Sequence, residues 1–311
     1  MHKIIAILAF SLLACASYAN IIIEVPASPE QGFNFPYLLK LPDAWEPDKK
    51  TYLIVETNNT GEPSDNFSFH YAAAKGAIGG NAVGPWLARQ LSFPILMPVF
   101  PRPETQDHIY THALDRDTMT AGSSAIDRLD LQLAAMLEDA KIRLREKSAA
   151  VEDKILLTGF SASGTFANRF SFLHPEKIAM IVAGGLNGTL MLPIKCIDKH
   201  ALNYPIGISD FESITGSNFD LDSWQNIAQF LFMGAQDTND AVAYDDAYSE
   251  AERQTIYNTT GKLMQPDRWS NSQKVYLDSG ANVEFYTFPG VGHATNGEIH
   301  REFLDFVKKK L

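Results

Sequence analysis

Cysteine is nearly missing: the 311-residue chain has two, Cys15 and Cys196. Cys15 falls in an apolar leader, so a processed chain keeps one thiol and no internal disulfide can staple the fold. With 45% hydrophobic residues, a chain of this size holds by its core instead. Nothing around Cys196 resembles a cysteine-hydrolase signature. Positive charge is also short. Lys and Arg number 26 against 37 Asp and Glu, a formal net charge of −11, which offers no basic patch to nucleic-acid phosphates and no attraction to anionic lipid. Internal repeats and low-complexity segments are missing. After the leader, no apolar run is long enough to cross a bilayer, so no transmembrane span is expected. No His/Cys spacing suggests zinc, and Asp237, Asp240, Asp245 and Asp246 lack the alternating order of a calcium loop. Gly76, Gly79, Gly80 and Gly84 do not form a phosphate cradle after a strand. No cofactor and no metal are expected.

The leader itself is informative. His2 and Lys3 precede an apolar stretch from Ile4 to Leu13, and Ser17-Tyr18-Ala19 has a small-x-small cleavage pattern. Residues 1–19 therefore read as a secretory signal peptide, and the protein as secreted or periplasmic. Leu12-Leu13-Ala14-Cys15 offers an alternative, a lipoprotein anchored at Cys15. Cleavage after Ala19 is favoured because Ile21-Ile22-Ile23-Glu24-Val25 already looks like a strand and leaves almost no flexible tether.

Residues 20–311 read as one catalytic domain. Strand candidates at Tyr37–Lys40, Tyr52–Thr57, Ile95–Val99, Lys154–Thr158, Ile178–Ala183, Phe230–Met233 and Val283–Phe288 follow that first strand. Several are apolar throughout, as strands covered on both faces should be. Ile126, Leu129, Leu133, Leu137, Ala140 and Leu144 recur at helical spacing, which predicts a helix over Ser124–Lys147 with Ser124 and Asp127 as a capping-box-like start. Ile299, Phe303 and Phe306 stripe a terminal helix from about Asn296 to Lys309. This alternation predicts an α/β fold, a mostly parallel sheet of about eight strands with helices on both faces. Two stretches interrupt it, 186–226 and 240–267, and the first is a candidate lid insertion. Trp86, Trp224 and Trp269 suit either a pocket wall or the core.

Chemistry concentrates at Ser161. The apolar Lys154–Thr158 run ends in Gly159-Phe160-Ser161-Ala162-Ser163-Gly164, and a helix-like segment follows. Small residues on either side allow the sharp strand-to-helix turn that exposes a serine hydroxyl. Such a hydroxyl needs a base to take its proton and a third group to hold the base. Asp237 lies just past the strand end at Gly234, with Asp240 as the alternative acid. His293 lies on a glycine-rich loop past the last strand. All three sites fall at carboxyl ends of strands, the edge where open α/β sheets bind ligands.

The order and settings of Ser161, Asp237 and His293 resemble the α/β-hydrolase superfamily, and within it secreted esterases and polyester (polyhydroxyalkanoate) depolymerases. The chain departs from that pattern two residues after the serine, where Ser163 stands in place of glycine, with Gly164 next. The resemblance implies an acyl-enzyme mechanism on carboxylic esters, small or polymeric, with an oxyanion hole from the Ala162 N–H and a second donor near Asn59 in Thr57-Asn58-Asn59-Thr60-Gly61. Two alternatives share these residues: a prolyl-oligopeptidase-like serine peptidase, and a catalytically inactive hydrolase-fold binding protein.

Overall fold

A computed structural model describes residues 21–43, 49–122 and 124–311. The leader, with Cys15 and the cleavage site after Ala19, lies outside the described residues. Eight strands, β1 (Ile22–Val25), β2 (Tyr37–Lys40), β3 (Ile54–Glu56), β4 (Ile95–Pro98), β5 (Ile155–Phe160), β6 (Ile178–Gly184), β7 (Ala228–Gly234) and β8 (Val283–Phe288), form one sheet in the order β1-β2-β4-β3-β5-β6-β7-β8. β2 runs antiparallel to both of its neighbours, and every pairing from β4 to β8 is parallel.

The near-continuous apolar strands are explained by cover on both faces. Ile155 and Leu157 of β5 point into a core shared with α3 (Leu129–Arg145), α4 (Ala162–Leu173) and α6 (Trp269–Asp278). Leu156, between them, points into a second core with α1 (Phe67–Gly79), α2 (Val83–Leu91) and α7 (Gly297–Lys310). β6 and β7 alternate in the same way: Ile181 and Leu231 on the first face, Val182, Phe230 and Phe232 on the second. The period of two survives although no polar residue marks it.

Two local expectations shift. The long helix starts at Leu129 rather than Ser124, because Arg128 takes a left-handed conformation (φ 49°) that a right-handed helix cannot contain. Its guanidinium reaches forward to both carboxylate oxygens of Asp130, at 2.9 and 2.7 Å. Ser124 and Asp127 lie in the preceding turn, and no capping box forms there. The terminal helix, in contrast, starts where Asn296 caps it, accepting from the Glu298 and Ile299 N–H groups. Within the 186–226 stretch, Leu190, Met191, Leu192, Leu202, Tyr204 and Trp224 are buried in the α3/α4 core. Trp269 is buried there too, whereas Trp86 packs against His300 and Phe303 of α7.

One buried carboxyl orders the sheet edge near β3. The residue before α2, Ala82, has no side chain with which to cap it. Glu56 supplies the acceptor instead: its Oε2 receives the Gly84 N–H at 2.5 Å and the Thr158 hydroxyl at 3.1 Å. A Cβ at position 84 would lie 2.4 Å from that hydroxyl, so only glycine admits the contact. Burial pushes the Glu56 carboxyl up from 4.5 to about 7. The folded state then binds a proton that the unfolded chain has released. The group's favourable contribution is complete below 4.5 and is lost as pH rises toward and through 7. Glu56→Gln keeps the acceptor for Gly84 without the titration. Its stability relative to wild type should therefore improve steadily between pH 5 and pH 8 in urea denaturation. Parallel stability curves for the two proteins would show that Glu56 does not titrate in this range.

Candidate active site

Ser161 stands at the junction of β5 and α4 with φ 62° and ψ −129°, a backbone region that side chains other than glycine's seldom enter. The surroundings hold it there. Its N–H donates to the Gly184 carbonyl at the end of β6, and its carbonyl accepts from Thr165 in the first turn of α4. The turn is tight: a Cβ on Gly159 would lie 2.3 Å from the Ser163 carbonyl oxygen. Ser163 closes the corner from inside. Its hydroxyl accepts from the Phe160 N–H at 3.0 Å and donates to the Phe160 carbonyl at 2.8 Å. The serine that replaces the expected glycine thus adds a side-chain lock to the turn, a role that residue size alone did not suggest.

The loops after β7 and β8 are held together by backbone. Ala235 N–H donates to the Phe288 carbonyl at 2.9 Å, and Gln236 N–H donates to the Val291 carbonyl at 2.8 Å. Gly234 permits the approach, since a Cβ there would sit 2.3 Å from the Gly292 carbonyl oxygen. This tie brings Asp237 and His293 into contact, Oδ2 to Nδ1 at 2.9 Å. Asp237 is buried, 3% exposed, and its other oxygen accepts from the Asn239 N–H at 2.9 Å. The His293 ring lies 4.7 Å from the Phe160 ring, which fixes its plane. A carboxylate at Nδ1 keeps the proton on that nitrogen and leaves Nε2 with its lone pair free to accept.

Ser161 and His293 do not share a direct hydrogen bond. The Asn239 amide stands between them, its Nδ2 3.0 Å from His293 Nε2 and 3.5 Å from Ser161 Oγ. Sequence reasoning missed Asn239; its position two residues past the acid was the available signal. Asp240, the alternative acid, is turned away. Its Oδ2 faces the buried Arg268 guanidinium and its Oδ1 accepts from the Val242 N–H. The neighbouring acids are also matched with cations, Asp245 with Arg253 and Asp246 with Arg102.

The two positions named for the oxyanion leave adjacent parallel strands. Glu56 of β3 is directly opposite Thr158 of β5, so the loop carrying Asn59 and the turn carrying Ala162 emerge side by side. Ala162 opens α4, and the first N–H of a helix has no acceptor within it. Asn59 uses its side-chain oxygen on the Gly61 N–H, leaving its backbone as the group available to a ligand. Asn58 is committed elsewhere: its amide bridges both the N–H and the carbonyl of Phe100. Beside these loops is a cavity of about 220 Å³, lined among others by Glu56, Thr57, Asn59, Phe160 and Thr295. Among the described residues, no cluster of His, Cys, Asp and Glu is arranged to hold a metal ion.

Comparison with known protein families gives no match, and no curated protein matches the sequence. Solved structures do match in fold. Poly(aspartic acid) hydrolase-1 from Sphingomonas sp. KT-1 superposes with a TM-score of 0.55 at 14% identity, over 93% of this chain and 98% of its own. The LpqC poly(3-hydroxybutyrate) depolymerase from Bordetella parapertussis superposes with a TM-score of 0.51 at 14% identity, over 94% and 90%. A thermostable esterase gives 0.51 at 14% identity, over 94% of this chain and 63% of its own. The strand order, the parallel sheet covered on both faces and these superpositions agree: the chain has the α/β-hydrolase fold.

Proposed function

We propose that this protein is an exported serine hydrolase that cleaves carboxylic esters through an acyl-enzyme. One observation carries the reading: a serine in a positive-φ strand-to-helix turn is linked through the Asn239 amide to a histidine whose other ring nitrogen is bound by a buried aspartate. Ser161 Oγ forms a bond to the substrate carbonyl carbon while its proton passes to His293 Nε2. Asp237 holds the ring and stabilises the imidazolium that results. The carbonyl oxygen, now negative, takes hydrogen bonds from the Ala162 N–H and from a backbone N–H at Asn59. When the tetrahedral adduct collapses, the bond to the leaving oxygen breaks and that oxygen receives the proton from Nε2. Water repeats the sequence on the acyl-enzyme, releasing the acid and restoring Ser161.

Esters are read ahead of amides because the order and settings of Ser161, Asp237 and His293 resemble those of secreted esterases and polyester depolymerases. Export through the leader at residues 1–19, with Cys15 anchoring as the alternative, suits the breakdown of external esters or polyesters. The names of the three structural neighbours fit hydrolysis of an acyl bond in general: an ester, a polyester or a poly(aspartic acid).

A fluorophosphonate probe tests the nucleophile. Wild-type protein should be labelled, and Ser161→Ala should not, while its thermal midpoint stays within a few degrees because the half-exposed hydroxyl contributes little packing. Labelling that persists in Ser161→Ala moves the nucleophile elsewhere. No labelling of either folded protein favours the inactive binding protein. Given labelling at Ser161, strong turnover of aminoacyl amides with negligible turnover of acyl esters favours the peptidase.

The two aspartates are expected to separate. Asp237→Asn should lower kcat on an activated ester by about 10⁴-fold, since the neutral amide no longer holds the correct tautomer. Asp240→Asn should leave kcat within an order of magnitude and lower stability instead, by uncoupling the buried Arg268. The reverse pattern would make Asp240 the acid.

A further inference from the structure

The Asn239 side-chain amide contacts both the atom that would give a proton, Ser161 Oγ, and the atom that would take it, His293 Nε2. Its Nδ2 is 3.0 Å from Nε2, inside hydrogen-bond range, and 3.5 Å from Oγ. With the Nδ1 proton held by Asp237, Nε2 has one lone pair and accepts one good hydrogen bond, so the amide and the serine hydroxyl compete for it. We propose that Asn239 is a positioning residue that caps the imidazole in the free protein. It occupies Nε2 with a donated hydrogen bond and must turn aside before Ser161 can be deprotonated. The proposal rests on the acyl-enzyme reading above.

The surrounding geometry restricts how the cap opens. The Asn239 N–H is bonded to Asp237 Oδ1, and the Asp240 N–H is bonded to the Thr238 carbonyl. One residue further, Asp240 is held against Arg268 and the Val242 N–H. The backbone of the loop is therefore tied on both sides of Asn239. The side chain is exposed to solvent and, among the described residues, makes no side-chain hydrogen bond beyond the two in the site. Rotation about its own bonds, without loop movement, frees Nε2. The cap is in contact with the imidazole, so a substrate that seats its leaving group beside His293 displaces it. The amide left by such a substrate is then free to donate to the leaving oxygen.

Removing the cap should raise the reactivity of Ser161 toward a small probe that gains nothing from the amide. The experiment measures the second-order rate of fluorophosphonate labelling for wild type, Asn239→Ala and Asn239→Ser, with Ser161→Ala in each background as control. In this reaction a bond forms from Oγ to phosphorus, the P–F bond breaks, and the Oγ proton passes to Nε2 as fluoride leaves. Asn239→Ala is expected to label about five-fold faster, the factor that corresponds to one competing neutral hydrogen bond. Asn239→Ser, whose side chain is too short to reach Nε2, should show the same gain and guards against a fold defect particular to alanine. A gain in rate is not what loss of a merely structural contact produces. Unchanged or slower labelling in both variants, with native circular dichroism and a labelled wild type, overturns the cap and leaves the hydrolase reading standing. No labelling of any folded variant removes both.

Discussion

Ser161 keeps a positive-φ backbone (φ 62°, ψ −129°), a sparsely populated conformation that costs an L-residue roughly 1–3 kcal/mol. The chain offsets that cost locally and from three directions. The end of β6 accepts the serine N–H, α4 begins on its carbonyl, and the Ser163 hydroxyl braces the Phe160 peptide from within. Gly159 is required beneath it because any side chain would strike the Ser163 carbonyl. The rest of the candidate site is arranged around a hydroxyl placed in this way. If the turn relaxed, Asp237 and His293 would still form a pair, but the Ser161 hydroxyl would no longer be held near it.

A second constraint is the backbone seam between the loops after β7 and β8. Side-chain pairs at the protein surface are weak and screened, whereas two backbone hydrogen bonds across a glycine contact set a loop's position rigidly. The Asp237–His293 contact is therefore a consequence of main-chain packing. The histidine ring is further trapped between the carboxylate and the Phe160 ring. The third loop, after β3, is governed differently. Glu56 fastens its root to α2 and to β5, and Asn58 fastens its stem to Phe100, which leaves Asn59 at the turn with its backbone unassigned. Three loops from three strands thus reach one edge by three different means.

Much of this was legible in the chain before any coordinates. The strands β5, β6 and β7 announced themselves as unbroken apolar runs, because burial on both faces removes polar residues from them. Ser161, Asp237 and His293 each follow such a run across a glycine, so strand-end position alone singled them out. The terminal helix was legible from the stripe of Ile299, Phe303 and Phe306, and the structure adds that the Asn296 side chain caps it. The start of α3 was misjudged because the apolar spacing continues through Ile126 while the backbone does not. Arg128 turns left-handed, and nothing in residue type signals that.

What the sequence determined by itself was the order of strands and helices, the glycines at the tight strand-to-helix turn, and the three strand-end side chains of the proposed relay. These follow from local rules: periodicity, Cβ sterics and capping act over a few residues. Tertiary structure alone decided which of two nearby aspartates meets the imidazole, since Asp240 is claimed by Arg268, 28 residues away in the chain. It also decided that Ser163 braces the turn, that Glu56 caps a helix not its own, and that Asn239 stands between serine and histidine. Each of these depends on a partner brought close only by folding of the whole sheet, and a linear pattern holds no record of such distances.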